Sequence, residues 1–242
     1  MPHTLFISDL HLTEDQPHLT RLFLDFVRNT APHAEALYIL GDLFEYWAGD
    51  DDSHTPFHQK IIKAIAEVSH QGTPVYIMHG NRDLLMDQQL MQECGATLLP
   101  DPTVINLYGT PTLLTHGDVL CTDDKEYQAF RKQVREPVWR SNFLSQPLAQ
   151  RKAYIEKLRT LSEEQKQSKA MEIMDVNSDA VAELFRSHHY PRIIHGHTHR
   201  QKHHQHKVDG KTCVRWVLGD WHKTGNALRC DAKGCSFQII TS

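Results

Sequence analysis

Short apolar runs of strand length recur along this 242-residue chain and indicate its fold class. In the first half, stretches of helix length lie between them, with apolar residues on one face at 19–29 and 57–68. Strands that alternate with helices predict an α/β architecture. After residue 214 the connections are short, so we expect part of the sheet to be antiparallel. The strand-like runs are 5–7, 36–40, 74–78, 112–115, 192–194 and 214–218.

Five of these runs end directly in polar clusters of the kind that bind metal ions. Sites in α/β proteins form beyond the carboxyl ends of strands, so residues far apart in the sequence can meet there. Glycines within the clusters allow sharp turns and close backbone approach. We therefore expect one site built from five loops. The clusters are Asp9-Leu10-His11, Gly41-Asp42, Gly80-Asn81-Arg82-Asp83, His116-Gly117-Asp118 and His195-Gly196-His197-Thr198-His199.

The donor atoms in these clusters suit two adjacent divalent metal ions. Two aspartates, an asparagine and four histidines are enough for two ions if Asp42, which stands alone in its cluster, bridges them. Mixed nitrogen and oxygen donors without thiolate favour manganese, iron or zinc. Two such ions can activate water and stabilise the charge of an in-line displacement at phosphorus. Histidine is abundant, at 18 of 242 residues, but this count does not locate the site.

The stretch from residue 123 to 170 differs from the rest of the chain. Its helical spacing and lack of strand-like runs predict a helical lid inserted between core segments 1–122 and 171–242. It carries eleven Lys or Arg against seven Asp or Glu, about +4 in a chain of net charge −4. The core is then about −8, which favours a basic lid over an acidic core and an anionic substrate. A solvated helical hairpin with ordinary surface lysines is an equal alternative.

The ordered clusters resemble the motifs of the calcineurin-like metallophosphoesterase superfamily across residues 9 to 197. The resemblance implies an α/β (α+β) fold with a two-layer β-sandwich core flanked by helices. It also implies two metal sites that share Asp42. One ion would be held by Asp9, His11, Asp42 and His197, and the other by Asp42, Asn81, His116 and His195.

Arg82 departs from the usual pattern of that superfamily, in which a histidine follows the asparagine and is thought to protonate the leaving group. Arginine cannot supply a proton near neutral pH, but its planar guanidinium can bind phosphate through two hydrogen bonds. A phosphoanhydride releases a phosphate oxygen of low pKa, whereas an alkyl phosphodiester releases an alkoxide that benefits from an acid. Arg82 therefore favours cleavage of a pyrophosphate bond.

Further motifs resemble one branch of the superfamily, the pyrophosphatases (hydrolases) that split UDP-2,3-diacylglucosamine in bacterial lipid A biosynthesis. This branch implies a manganese-dependent enzyme with two Mn²⁺ per chain, other divalent metals being possible. Metal-activated water would attack the uridine-side phosphorus, releasing UMP and 2,3-diacylglucosamine 1-phosphate (lipid X). The enzyme would work peripherally at the inner membrane. The motifs lie at 42–47, 121–124, 139–144, 147–151 and 217–222, so they include the lid.

The same resemblance implies roles for single residues. Asn81, Arg82 and His116 would be catalytic, with Asn81 and Arg82 touching the diphosphate and Asp124 the glucosamine. Apolar lid residues would line a groove for the acyl chains. The branch commonly has asparagine where this chain has Lys166, which leaves that contact open. The other implied substrate contacts are Ser162, Lys166, Lys169 and His195.

Two other functions remain open at this point. The first is a soluble nucleotide pyrophosphatase or phosphodiesterase on the same core, with a lid that serves another substrate. The second is a catalytically inactive binding scaffold, against which the complete donor set argues. No sequence feature indicates nucleic acid or an obligate protein partner.

The N-terminus has no secretory signal, and no run of about 18 apolar residues occurs. We therefore expect a soluble cytoplasmic protein, peripherally associated with the inner membrane. Five cysteines without a Cys-x-x-Cys pair argue against a disulfide framework or a thiolate zinc site. Free thiols are the expected state, with a small metal or redox site at Cys230 and Cys235 as the alternative.

Overall fold

The computed structural model of the protein describes residues 1–168 and 175–241, without the side chains of residues 162–168. The strands are β1 (Thr4–Ile7), β2 (Ala36–Leu40), β3 (Val75–Met78), β4 (Ala96–Leu99), β5 (Thr103–Leu107), β6 (Thr110–Thr115), β7 (Arg192–His195), β8 (Lys202–Val208), β9 (Lys211–Val217), β10 (Gly225–Asp231) and β11 (Gly234–Ile240). The α-helices are α1 (Pro17–Asn29), α2 (Pro56–His70), α3 (Gln88–Cys94), α4 (Lys125–Val134), α5 (Pro137–Leu144), α6 (Leu148–Ser168) and α7 (Ser178–Ser187).

The strands form two mixed sheets. The first has the order β11-β10-β1-β2-β3-β4 and the second the order β5-β6-β7-β9-β8. Strands β1 to β4 are parallel to one another, and the helices α1, α2 and α3 connect them. The antiparallel pairing of β10 with β11 and of β8 with β9 confirms the expectation for the C-terminal part.

Apolar side chains from both sheets form one core between the layers. Phe6, Leu40 and Met78 of the first sheet and Leu114 and Ile194 of the second belong to one cluster of fully buried residues. Burying a side chain of this size contributes roughly 1.5–3 kcal/mol. The outer face of the first sheet packs against α1 and α2, and that of the second against α7. The expected two-layer sandwich flanked by helices is therefore confirmed.

The first predicted helix forms because its apolar residues repeat on one face. Leu22, Phe23 and Phe26 of α1 are buried, and a proline in the first turn fits a position that needs no N–H donor. Phe23 and Phe26 also meet the Trp221 ring edge-on, at centroid distances of 6.3 and 5.7 Å. Helix α1 thereby fixes the loop that contains Trp221.

Several elements were missed because they lack a long apolar run. Strand β8 contains a cluster of histidines and few apolar residues, and it is an edge strand paired with β9. His204 and His206 are partly buried there, whereas His203 is exposed. An edge strand can be mostly polar because one side of its backbone pairs and one face sees water. Strands β4 and β5 and helices α3 and α7 were likewise not predicted.

Cys230 and Cys235 form a disulfide, which corrects the expectation of free thiols at these positions. They lie opposite each other in the β10–β11 hairpin, with their Cα atoms 4.1 Å apart. A hairpin aligns residues five apart without any Cys-x-x-Cys spacing, so the pairing was not evident from the sequence. Cys94, Cys121 and Cys213 are buried.

The segment predicted as a lid folds as the three helices α4, α5 and α6, and residues 123–168 contain no strand. The boundaries at 122/123 and 170/171 remain a prediction. Among the residues that the structure describes, no helix is both long enough and apolar enough to cross a bilayer.

Candidate metal centre

Loops that follow β1, β2, β3, β6 and β7 meet at one end of the sandwich. Tight turns there leave several donor residues with positive φ, a conformation that costs non-glycine residues about 1–3 kcal/mol each. Two glycines are required by close approach, because a Cβ on Gly80 would overlap Asp42 and one on Gly196 would overlap Asp9. The donors with positive φ are Asp9 (55°), His11 (49°), Asp42 (52°), His197 (68°) and His199 (58°).

Asp9, His11 and His199 form the first group of converging donors. Asp9 Oδ1 and His11 Nε2 lie 3.5 and 3.3 Å from His199 Nε2. Asp9 Oδ2 accepts hydrogen bonds from the Ser8 hydroxyl and the His197 N–H, whereas its fully buried Oδ1 has no hydrogen-bond partner. An orphaned carboxylate oxygen facing two imidazole nitrogens fits a divalent metal ion.

Asp42 lies between this group and a second one. Its Oδ2 is 3.8 Å from His11 Nε2 and 3.8 Å from His116 Nε2. Its Oδ1 accepts the backbone N–H of Arg82 at 2.8 Å. Asp42 is 2% exposed, so its charge is available to the donors around it rather than to solvent. This is the position that a shared ligand requires.

The second group contains Asn81, His116 and His197. Asn81 Oδ1 lies 3.0 Å from His116 Nε2 and 2.9 Å from His197 Nδ1. The Nδ1 atom of His116 is 2.9 Å from the Leu40 carbonyl, which can accept a proton only from Nδ1–H. This contact leaves His116 Nε2 as the ring nitrogen that faces Asn81 and Asp42 and that would bind a metal ion.

Carboxylates give the centre a negative potential that favours cations. Burial disfavours a charged ring at His116, but Asp42 and Asp9 raise its pKa to about 9. At His199, burial is likewise outweighed by Asp220 and Asp9, which raise the pKa to about 10. Burial and the neighbouring His116 lower the pKa of His197 to about 4. Positive charge is therefore stabilised beside Asp9 and Asp42, where metal ions would sit.

Buried Asp118 attaches helix α4 to this end of the sandwich. Its Oδ2 accepts hydrogen bonds from Tyr127 Oη at 2.9 Å, Arg131 Nε at 2.8 Å and Arg135 Nη2 at 3.1 Å. Burial opposes its charge, yet His116 and the two arginines hold its pKa well below the usual range. Tyr127 also stacks on the His197 ring at 5.8 Å.

More ion pairs fasten the lid to the acidic core. Arg140 contacts Asp87 at 3.0 Å and Lys152 contacts Asp52 at 2.5 Å. Arg151 also pairs with Asp51. Much of the lid's positive charge therefore pairs with acidic side chains of the core. The lid is thus neither a freely solvated hairpin nor a segment whose basic residues are all free to bind substrate.

A cavity of about 1040 Å³ lies between the donor groups and the lid. Its lining includes polar residues of the donor loops, among them His11, Asp42 and Asn81. It also includes apolar lid side chains, among them Phe130, Trp139, Phe143, Ile155 and Leu158. Typical small-molecule pockets measure roughly 300–1,000 Å³, so this cavity suits a large amphipathic ligand.

Residues 2–201 match the family described as calcineurin-like phosphoesterase. The chain belongs to this family. A relative from Aromatoleum aromaticum named UDP-2,3-diacylglucosamine hydrolase is 53% identical to this phosphoesterase over 230 residues, covering 95% of this chain and 94% of the relative. A relative of the same name from Xanthomonas campestris pv. campestris is 50% identical, covering 98% of each chain. Another from Xanthomonas oryzae pv. oryzae is 48% identical, covering 97% of this chain and 98% of the relative.

His195, which we expected to bind a metal ion, does not lie among the converging donors of the described residues in this phosphoesterase. The ring is fully buried, with Nδ1 2.8 Å from the Gly196 carbonyl and Nε2 accepting from Arg215 Nη1 at 2.9 Å. Both nitrogens are thus engaged, and burial together with Arg215 lowers the pKa to about 3. His197 and His199 face the two donor groups instead. Strand β7 ends at His195, so the two later histidines lie on the loop.

Arg82 lines the cavity of the phosphoesterase, as does Glu45, which the sequence analysis had not singled out. Glu45 Oε1 accepts Arg159 Nε at 3.1 Å and lies 3.8 Å from Arg82 Nη1, and Oε2 is 3.1 Å from His11 Nδ1. Although burial opposes its charge, His11, Arg82 and Arg159 lower the pKa of Glu45 to about 2. One carboxylate thus contacts a metal-site histidine and two arginines.

Of the lid residues expected to bind substrate in this phosphoesterase, the structure describes only some in full. Asp124 lines the cavity, and its Oδ1 also accepts the Tyr127 N–H at the start of α4. Ser162 and Lys166 belong to α6, but their side chains lie outside the described part of the chain. Lys169 lies outside the described residues altogether.

Proposed function

We propose that the protein hydrolyses the pyrophosphate bond of UDP-2,3-diacylglucosamine to give UMP and 2,3-diacylglucosamine 1-phosphate. The observation that carries this proposal is the cavity, whose lining combines metal-type donors with apolar side chains of the lid. Three relatives that align over nearly the whole chain bear the name of this hydrolase. A substrate with a diphosphate and two acyl chains would match this lining, because the diphosphate suits the metal-type donors and the acyl chains suit the apolar side chains.

We propose that two divalent metal ions, Mn²⁺ by preference, bind at the two donor groups. Donors that mix imidazole, carboxylate and amide without thiolate suit manganese. When bound, such ions supply Lewis acidity and activate water. His195 is not included in this set, because both of its ring nitrogens are engaged elsewhere. The first set would be Asp9, His11, Asp42 and His199, and the second Asp42, Asn81, His116 and His197.

Arg82 would bind and orient the diphosphate. Its backbone N–H is fixed by Asp42 and its guanidinium lies beside Glu45, so the side chain is held at the edge of the metal centre. Arginine cannot donate a proton here, and a sugar phosphate needs none to depart. The neighbouring Asn81 and His116 would position phosphoryl oxygens at the second donor group, and the lid would exclude water.

The remaining contacts are proposals for the sugar and the acyl chains. Asp124 would bind the glucosamine, with Ser162, Lys166 and Lys169 near it on the lid. Apolar side chains of α4, α5 and α6 would bind the acyl chains. Exposed Val138, Tyr154 and Leu161 on the lid would touch the inner face of the cytoplasmic membrane, giving peripheral association.

The test is release of UMP by metal-stripped protein to which each divalent metal is restored in turn. UDP-2,3-diacylglucosamine is the substrate, and UDP-N-acetylglucosamine, which lacks the two long acyl chains, is its matched control. We expect activity with Mn²⁺ on the acylated substrate alone. Equal turnover of the control would instead support a soluble nucleotide pyrophosphatase, and no turnover of either would support a binding scaffold.

A further inference from the structure

We infer that Asp220 is a positioning residue that holds the His199 ring in the orientation needed to bind metal, an inference that rests on the proposed function. Asp220 lies in the loop between β9 and β10 and lines the same cavity. It was not among the residues expected to act at the site.

The imidazole of His199 lies between the Asp220 carboxylate and the first donor group, with one ring nitrogen towards each. His199 Nδ1 lies 3.3 Å from Asp220 Oδ2. His199 Nε2 lies on the other side, 3.5 Å from Asp9 Oδ1 and 3.3 Å from His11 Nε2. A carboxylate accepts a hydrogen bond from Nδ1–H and keeps the proton on that nitrogen, so that Nε2 is the nitrogen that would bind a metal ion.

The loop that contains Asp220 is fixed independently of the Asp220 side chain. The Trp221 N–H donates to the Asp9 carbonyl at 3.1 Å, which sets the loop against the end of β1. The Gly219 N–H donates to Asn226 Oδ1 at 3.0 Å. Trp221 is buried against α1. The carboxylate is therefore presented to His199 from a rigid backbone, and its removal should leave the loop in place.

His199 needs such a contact more than His116 does. His116 is fully buried, and the Leu40 carbonyl fixes its ring. The side chain of His199 is 36% exposed and belongs to a loop residue, so surrounding packing restrains it less. Fixing a ring by an outer carboxylate is typical of metal sites, where loss of the partner costs about 10–100-fold in affinity.

The test measures Mn²⁺ binding to the full chain by competition with a chelator, alongside kcat and KM. Asp220→Ala removes the acceptor, Asp220→Asn keeps an acceptor oxygen, and Glu183→Gln on α7 removes one distant negative charge as the matched control. We expect Asp220→Ala to weaken one of two Mn²⁺ sites about 10–100-fold, with KM unchanged and kcat recovered at saturating Mn²⁺. Asp220→Asn should recover most of the affinity, and Glu183→Gln should bind like wild type.

The outcomes separate this inference from the proposed function. Wild-type affinity at both sites in Asp220→Ala would overturn the role of Asp220 while wild-type UMP release still supported the function. Equal losses in Asp220→Asn and Asp220→Ala would also overturn it, because charge rather than ring orientation would then be responsible. Wild-type protein that binds no Mn²⁺ and releases no UMP would overturn both. Equal thermal unfolding of the metal-free variants checks that the fold is intact.

Discussion

At the residue scale, Asp42 directs its two carboxylate oxygens to different parts of the site. Oδ1 accepts the N–H of Arg82, and Oδ2 faces His11 and His116 at the same distance of 3.8 Å. The residue therefore sets the loop that carries the arginine and also serves both donor groups.

Replacing Asp42→Asn should abolish most turnover without unfolding the protein. The amide keeps an oxygen for the Arg82 N–H but loses the charge shared by the two donor groups. We expect kcat to fall by more than about 100-fold, because mutating even a residue that only hydrogen-bonds to a metal ligand lowers metal affinity or activity by about 10–100-fold. Initial rates at saturating Mn²⁺, with thermal unfolding as the folding control, provide the measurement. Near-normal turnover would remove Asp42 from the site.

Replacing Arg82→His tests the argument from the leaving group. Loss of the guanidinium should lower kcat/KM for the diphosphate by about 10–100-fold, because a hydrogen bond to a charged group contributes about 1.5–3 kcal/mol. The new imidazole can donate a proton, so activity on an aryl phosphodiester should be kept or raised. Assays of both substrates, with Arg82→Lys as the charge-matched control, measure this. An unaffected diphosphatase activity would contradict the argument.

From the sequence we expected the donors in loops that follow strands, and Asp9, Asp42 and Asn81 lie in such loops. The last pair of histidines differs, because we expected His195 and His197 whereas His197 and His199 lie beside the converging donors. Asp9, Asp42 and Asn81 follow apolar runs directly, so their convergence was visible from the pattern. The His195–His199 stretch offers three histidines, and the assignment depends on where β7 ends. The engagement of His195 by Arg215, 20 residues away, is a tertiary contact that no local pattern shows.

At the element scale, three side chains of the α4 segment meet at one buried carboxylate, Asp118. Tyr127, Arg131 and Arg135 come from successive turns of α4 and its C-terminal end, and all three meet Asp118 Oδ2. Helical spacing brings residues 127, 131 and 135 to one face. Because Asp118 follows β6 and is close to His116, the lid is connected to the same loop that carries a metal donor.

Replacing Asp118→Asn should loosen α4 and destabilise the protein by about 3 kcal/mol, the lower end of the cost of breaking a buried ion pair. Guanidinium unfolding and limited proteolysis within α4 measure the two effects. Asp87→Asn is the matched control, since its pair with Arg140 has a 53% exposed carboxylate. Asp87→Asn should lower the free energy of unfolding by less than about 1 kcal/mol. Equal costs in the two variants would show that Asp118 does not hold the helix.

Elements differ in how well the sequence predicted them. Helices α1 and α2 and strands β1, β2 and β3 have strong apolar patterns because they are buried on at least one full face. Strand β8 has only one buried residue, Val208, so its pairing with β9 gives no apolar signal. The Cys230–Cys235 bond likewise depends on the register of β10 against β11.

At the scale of the whole molecule, the centre exists only when the two sheets pack. Asp9, Asp42 and Asn81 follow strands of the first sheet, whereas His116 and the later histidines follow strands of the second. The shared core between the sheets therefore determines the distances within the site. The lid then closes the cavity by ion pairs with the acidic core and adds the apolar surface that a lipid substrate needs.

The most direct measurement is a crystal structure of the Mn²⁺-loaded protein with anomalous diffraction recorded at the manganese edge. The account predicts two peaks roughly 3.5–4 Å apart, on either side of Asp42. One should lie within bonding distance of Asp9, His11 and His199, the other of Asn81, His116 and His197, and neither should be bonded to His195. A single peak, or a peak bonded to His195 in place of His197 or His199, would contradict the account.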